Sequence, residues 1–311
     1  MDGIHHITAI ASNPQANLDF YQKMLGQRLI KKTVNFDDPG TYHFYFGDGT
    51  GTPGTILTFF PWPGAVRGRR GNGEVAATAY TIHPESVDYW QKRLTDHGVI
   101  SGERQTRFGI DVIPFQDPDG MIIELIVNDN PAPIQTWEEG PIPGEHILRG
   151  FHSATLWVGE AQPTADLLTN SLGFTFAGQE GRRYRFQAPG EAAGHILDLL
   201  ERPGELYGRL GAGSVHHIAF RAKDDAEQIE YLSALRGKGY NVTPVKDRQY
   251  FHSIYFRAPS GVLFEVATDP PGFLTDETVA ELGSGLKLPP WLESQRPRIS
   301  RILPEVKTSE V

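Results

Sequence analysis

At 311 residues, with 39% hydrophobic and 11% aromatic content, the chain suits two domains or one body built from repeats, and its composition is not that of a disordered segment. The 29 basic and 38 acidic residues leave a formal charge of -9, which argues against nucleic acid and anionic membranes as partners. Zero cysteines exclude disulfides and thiolate sites, so any metal would be held by nitrogen and oxygen; with no apolar run of membrane-spanning length and no export pattern at Met1-Asp2-Gly3, we expect a cytoplasmic protein.

The first predicted strand opens at Gly3 (GIHHITAI), an amphipathic helical stretch covers Ala16 to Leu25, and the unit closes with GTILTFF from Gly54. The same order returns three times. A second unit runs from Gly73 (GEVAATAY) through a helix over Pro84 to His97 to GMIIELI at Gly120. A third runs from Gly150 (GFHSATLW) through Pro163 to Leu172 to GHILDLL at Gly194, and a fourth from Gly213 (GSVHHIAF) through Asp225 to Lys238 to GVLFEVA at Gly261. Two shorter strands follow each helix. In the fourth unit they are expected over Asn241 to Val245 and Ser253 to Arg257, before the closing strand Val262 to Ala267.

Each unit therefore reads βαβββ, and the expected fold class is α+β with four modules at 1–62, 73–128, 149–201 and 213–269. A Pro-rich linker at 129–148 separates the second from the third, and a tail at 270–311 is expected to wrap the surface.

Aligned on their glycines, the four openings place His6, Ala77, Ser153 and His217 in one register, and the four endings place Thr58, Glu124, Asp198 and Glu265 in another. Strand alternation puts Val215, His217 and Ala219 on one face and His216, Ile218 and Phe220 on the other. In the closing strand Glu265 lies with Leu263 and Ala267, opposite the apolar Val262, Phe264 and Val266. His217 and Glu265 can then face one concavity.

If modules one and four pair, these positions supply two imidazoles, one carboxylate and a weak or absent ligand at Thr58. Such a facial triad suits non-haem iron(II), because it leaves positions for substrate and dioxygen; zinc with an open position is also chemically admissible. Modules two and three would then form a metal-free half without an imidazole in register. Pairing one with two would split His6 from His217, and the sequence leaves that choice open.

A lone strand histidine is more often a hydrogen-bonded core or surface residue than a ligand. Two His-His dipeptides at matching positions, with a glutamate at the matching end, weigh against that reading here. His43, His83, His97, His146 and His195 lack the pattern and are expected in solvated or packing roles. His152 aligns with His5 and His216 and is expected to face away from a metal, and His252 has no assigned role. The run Phe59-Phe60-Pro61-Trp62 suits a pocket wall, although such stripes are more often core.

The set HHIT, VNFDDPGTYHFYFGD, VHHIAF, TPVKDRQYFHSIYF and LFEVATDPPGF resembles ring-cleaving hydroquinone dioxygenases of the vicinal oxygen chelate superfamily, over nearly the whole chain. The resemblance implies two glyoxalase-like half-barrel domains. It also implies Fe2+ on His6, His217 and Glu265, with Mn2+ or Zn2+ able to replace it in a crystal, and the polar residues His5, Thr8, His216, Arg248 and Tyr255 around the substrate. Arg248 reads equally as a solvated surface charge, strand packing is the blander and less favoured reading of Tyr255, and His5 and His216 read as structural residues or supports of the metal ligands.

The implied activity is that of an extradiol-type ring-cleaving dioxygenase taking a small aromatic and dioxygen, with a homo-oligomer compatible. Rival readings are a catechol extradiol dioxygenase and a glyoxalase-type isomerase, which would want a fourth ligand at Thr58. A non-catalytic aromatic- or drug-binding module is the rival from another class, since fold does not dictate function.

Overall fold

The computed structural model describes residues 1–308. Sixteen strands form two eight-stranded sheets, each built from two modules. In the first module the strands are β1 (Ile4–Ala11), β2 (Arg28–Asn35), β3 (Asp38–Gly47) and β4 (Ile56–Pro61), and in the second β5 (Glu74–Ile82), β6 (Gln105–Arg107), β7 (Ile110–Gln116) and β8 (Ile122–Val127). The third contributes β9 (Phe151–Val158), β10 (Thr175–Glu180), β11 (Arg183–Gln187) and β12 (Ile196–Glu201). The fourth contributes β13 (Val215–Ala222), β14 (Lys246–Asp247), β15 (Phe251–Arg257) and β16 (Leu263–Pro271). One sheet runs β14-β15-β16-β13-β1-β4-β3-β2 and the other β10-β11-β12-β9-β5-β8-β7-β6. Module one therefore pairs with module four, and two with three, which resolves the choice that the sequence left open.

The repeat glycines have a conformational reason. Gly213 opens the fourth module at φ +79° and Gly261 opens its last strand at φ +94°, a region costly for any residue with a Cβ, and the matching glycines of the other modules also hold positive φ. One helix per module covers the convex side: α1 (Pro14–Leu18, continued by a π turn over Asp19–Met24), α2 (Val87–Asp96), α3 (Gln162–Ser171) and α4 (Asp225–Gly237). Ile218, Phe220, Phe264 and Val266 join the main core on that side, while Ala219 and Ala267 fall in a separate cluster inside the first curl.

Three expectations change. Asn241–Val245 is not a strand: Thr243 Oγ1 takes the Tyr255 N–H at 3.0 Å, Pro244 has no N–H to give, and pairing with β15 starts only at Lys246. Val215 packs in the main core rather than beside His217, because the strand bulges between them. The tail does more than wrap the surface. Its Phe273 and Leu282 pack with Ile30, Tyr45 and Phe251 inside the first curl, and the fully buried Lys31 bonds Asp276 at 2.6 Å and also Glu277. No helix among the described residues is long and apolar enough to cross a membrane.

Candidate metal centre and substrate cavity

The two central strands of the first sheet, β1 and β13, run antiparallel with a bulge in each. The extra residue is His5 on β1 and His216 on β13, so each His-His dipeptide straddles a bulge. A bulge re-aims side chains that alternation would send to opposite faces. Here it lets neighbouring imidazoles bond each other, His5 Nδ1 to His6 Nδ1 at 2.9 Å and His216 Nδ1 to His217 Nδ1 at 2.8 Å. Burial, then the neighbouring His6, holds the His5 pKa well below its usual value, and burial, then His217, brings His216 down to about 4. Both are therefore neutral near pH 7 and fit to accept a hydrogen bond from the inner ring's Nδ1–H, which leaves the inner Nε2 with a free lone pair.

Those two Nε2 atoms meet a carboxylate from β16. Glu265 Oε2 lies 2.9 Å from His217 Nε2 and 3.5 Å from His6 Nε2, with Glu265 fully buried. Ligand atoms of His6, His217 and Glu265 all lie within 4.8 Å of one another, the one such cluster among the described residues. Burial by itself would push the Glu265 carboxyl up, but the two imidazoles reverse this and hold it well below the ordinary range.

The residues fit a divalent ion. Glu265 Oε2 is a buried anionic oxygen with no properly aligned hydrogen-bond donor, while its Oε1 accepts a short bond from the Ser253 hydroxyl. A buried charge left this way is costly unless something cationic fills the gap. Burial also depresses the His217 pKa, which favours the neutral, ligating form.

The centre opens on a cavity of about 460 Å³ lined by His6, His217 and His216, with aromatic walls from Phe36, Phe60, Trp62 and Phe251. Tyr255 faces Glu265 directly across the β15–β16 ladder, and its ring stands edge-on to His217 at 5.7 Å. Arg248 donates from Nε to the Tyr255 hydroxyl at 3.1 Å and from its terminal nitrogen to Asp37 Oδ2 at 2.9 Å. That ion pair bridges the two ends of the curled sheet, since Asp37 sits in the β2–β3 turn. Burial, then the Glu265 charge, pushes the Tyr255 phenol up, so it stays protonated near neutral pH.

His6, His217, His216, Arg248 and Tyr255 thus line one cavity; His5 and Thr8 do not. His5 is buried behind His6 against Phe251, with ring centroids 5.2 Å apart. Thr8 bonds Thr58 at 2.8 Å, hydroxyl to hydroxyl, at the register position where a fourth ligand would stand. His43, expected in a packing or solvated role, instead lines the cavity and bonds Thr58 through Nε2 at 2.8 Å. The available signal was its position within VNFDDPGTYHFYFGD. Ser253 was also missed, although it shares a strand face with Tyr255 two residues on. His252 Nδ1 is 2.6 Å from Asp225 Oδ1, tying β15 to the start of α4, and His152 bonds Ser153 in the other sheet at 3.0 Å.

In that second sheet the corresponding acids are held by guanidinium groups. Arg107 clasps Glu124 through two bonds, at 2.7 and 2.6 Å, and Asp198 is held by Arg183 and Arg185.

The sequence pattern of the Glyoxalase/Bleomycin resistance protein/Dioxygenase superfamily matches residues 3–125 and 150–266. A candidate ring-cleaving dioxygenase of Bacillus subtilis (strain 168), MhqO, is 46% identical over 299 residues, covering 96% of this chain and 95% of its own. The chlorohydroquinone/hydroquinone 1,2-dioxygenase of Sphingobium indicum is 36% identical over 311 residues, covering 97% of this chain and 96% of its own. A crystal structure of a candidate dioxygenase from Bacillus subtilis superposes with a TM-score of 0.95 at 44% identity, over 99% of this chain and 98% of that one.

Proposed function

From its place in the Glyoxalase/Bleomycin resistance protein/Dioxygenase superfamily, to which the chain belongs, we propose that it cleaves the ring of a hydroquinone-type aromatic with dioxygen, using iron(II) held by His6, His217 and Glu265. The observation that carries this reading is the convergence of two imidazole Nε2 atoms and one carboxylate oxygen beside an aromatic-walled cavity. Three protein ligands on one side of an ion are the arrangement that suits oxygen-using non-haem iron. The hydroquinone dioxygenase of Sphingobium indicum supports the substrate class.

When bound, iron(II) supplies the electron exchange between aromatic ring and dioxygen that neither achieves readily alone. The chain's own residues do the rest. Phe36, Phe60, Trp62 and Phe251 sandwich the ring and exclude water, and a cavity of about 460 Å³ accommodates one ring with substituents. His5 and His216 hold the ligating rings in place through their Nδ1 bonds. Tyr255, neutral and already accepting from Arg248, is left with its own hydroxyl proton to donate toward a substrate oxygen.

We place the cut extradiol-fashion, between a hydroxylated carbon and its unhydroxylated neighbour. In a hydroquinone the hydroxyls sit at positions 1 and 4, so a 1,2 cleavage falls there. The isomerase reading is disfavoured because Thr58 offers a hydroxyl engaged with Thr8 and His43 in place of a fourth charged ligand. Oxygen uptake after anaerobic iron(II) loading, across a panel of hydroquinones and catechols with identification of the ring-opened product, tests the proposal. Uptake with catechols alone would transfer the enzyme to that class, and no uptake with any of them would leave the ring-cleaving reading without support.

A further inference from the structure

Among the polar groups of the cavity that the chemistry above does not use, His43 is the imidazole. His43, on β3, lines the same cavity as the triad but belongs neither to the ligand cluster nor to the Tyr255–Arg248–Asp37 chain. Its ring is wedged between Tyr45 and Phe60, at centroid distances of 4.1 and 4.4 Å, and only 8% of the residue is exposed. Nε2 is anchored on Thr58 Oγ1 at 2.8 Å, which is itself 2.8 Å from Thr8 Oγ1. Nδ1 has no hydrogen-bond partner among the described residues. The ring is thus oriented by a fixed bond at one nitrogen, while the other has no protein partner and is open to whatever occupies the cavity, water or a ligand.

A para-dihydroxylated ring has its two oxygens at opposite ends. If one is taken at the triad, the other is carried away from it into a cavity walled by Phe36, Phe60 and Trp62, where an unpaired hydroxyl would lose its hydration. Of the other polar groups lining the cavity, Arg248 is engaged with Asp37 and Tyr255, Thr243 with the Tyr255 backbone, and Lys246 stands 3.9 Å from Asp37 Oδ1. Asn35 Oδ1 accepts from the Asp37 N–H in the exposed β2–β3 turn.

We propose that His43 receives the distal hydroxyl of the substrate through Nδ1 and so selects para-dihydroxylated rings over monophenols. This rests on the ring-cleaving reading for its biological meaning, but binding alone can read it. Burial, then the neighbouring His6 and His217, keeps His43 well below its ordinary pKa, and a neutral imidazole offers either a donor or an acceptor at Nδ1 according to tautomer. The Thr58 hydroxyl can reverse its own role to suit.

The test is calorimetric titration of zinc-loaded protein, which cannot turn over, with hydroquinone and with phenol. Wild type is expected to bind hydroquinone about tenfold more tightly than phenol, the worth of one well-made buried hydrogen bond. In His43→Phe the ratio should fall to near one while phenol affinity holds. His43→Gln, which keeps a polar contact toward Thr58 but has no group at the Nδ1 position, guards against misfolding of the first variant and should lose the preference too. In iron-loaded protein the same variants should raise KM for hydroquinone much more than they lower kcat. A preference that survives in a metal-holding variant overturns the assignment, as does its loss in Asn35→Ala with His43 intact. Failure of the ring-cleaving reading would show separately, as absent oxygen uptake in iron-loaded wild type.

Discussion

Removing only the Tyr255 hydroxyl, in Tyr255→Phe, is expected to depress turnover far more than it affects metal content or stability. The hydroxyl makes one side-chain hydrogen bond of normal length, from Arg248 Nε at 3.1 Å, while Arg248 keeps its bond to Asp37 at 2.9 Å and so is not stranded. The phenyl ring still packs against His217, and the ligand set contains no atom of residue 255. The stability cost is therefore that of one hydrogen bond, about 1 to 2 kcal/mol, or a shift of a few degrees in thermal midpoint. A positioned proton donor, by contrast, is worth on the order of 10² to 10⁴ in rate. Tyr255→Phe should be measured beside Glu265→Ala for bound iron, thermal midpoint and oxygen uptake with a hydroquinone. The first should keep its iron and lose its rate; the second should lose both. Near-normal turnover in Tyr255→Phe would reduce this tyrosine to packing, and loss of iron would place it in the ligand network instead.

Ser253→Ala removes the hydroxyl that fixes Glu265 Oε1, and should weaken metal affinity by about 10- to 100-fold in a chelator competition, the usual cost of losing a group that orients a ligand; unchanged affinity would mean that the carboxylate is held by other contacts. Metal analysis should find close to one ion per chain, because Glu124 and Asp198 are already neutralised by Arg107, Arg183 and Arg185, and a second ion bound at those acids would contradict this reading. Burial raises the Glu74 carboxyl from 4.5 to about 7 in the folded protein. The fold therefore favours its protonated form, a contribution present in full below the unfolded pKa and lost as pH rises through the folded one. Glu74→Gln, whose carbonyl still accepts the Gly71 N–H, should gain stability relative to wild type in denaturant titrations between about pH 5 and pH 8; parallel pH curves for the two proteins would refute the assignment.

The fourfold module was legible because its signals are local. Glycines at Gly213 and Gly261 mark backbone that must take positive φ, and a helix or strand announces itself within a dozen residues by its own period. The register that aligned His6 with His217, and the parity that put Glu265 with Leu263 and Ala267, needed nothing beyond the strand repeat. Motif resemblance then supplied Arg248 and Tyr255 before any contact was known, and the structure brings both into the cavity beside the triad.

What the chain order could not reveal depends on how distant segments meet. Modules one and four pair through β1 and β13, more than 200 residues apart, and both pairing schemes satisfy the same local pattern. The bulges at His5 and His216 arise from mismatched register between those two strands, so simple alternation misplaced Val215 and gave no reason for each imidazole pair to share a hydrogen bond. His43 reaches the cavity because the sheet curls, and Ser253 reaches Glu265 because β15 and β16 pair. The sequence by itself determined which residue types stand at each register position, since those are properties of single strands. Tertiary structure alone decided which strands became neighbours, because hydrogen-bonded pairing and sheet curvature bring together side chains whose separation along the chain carries no trace of the contact.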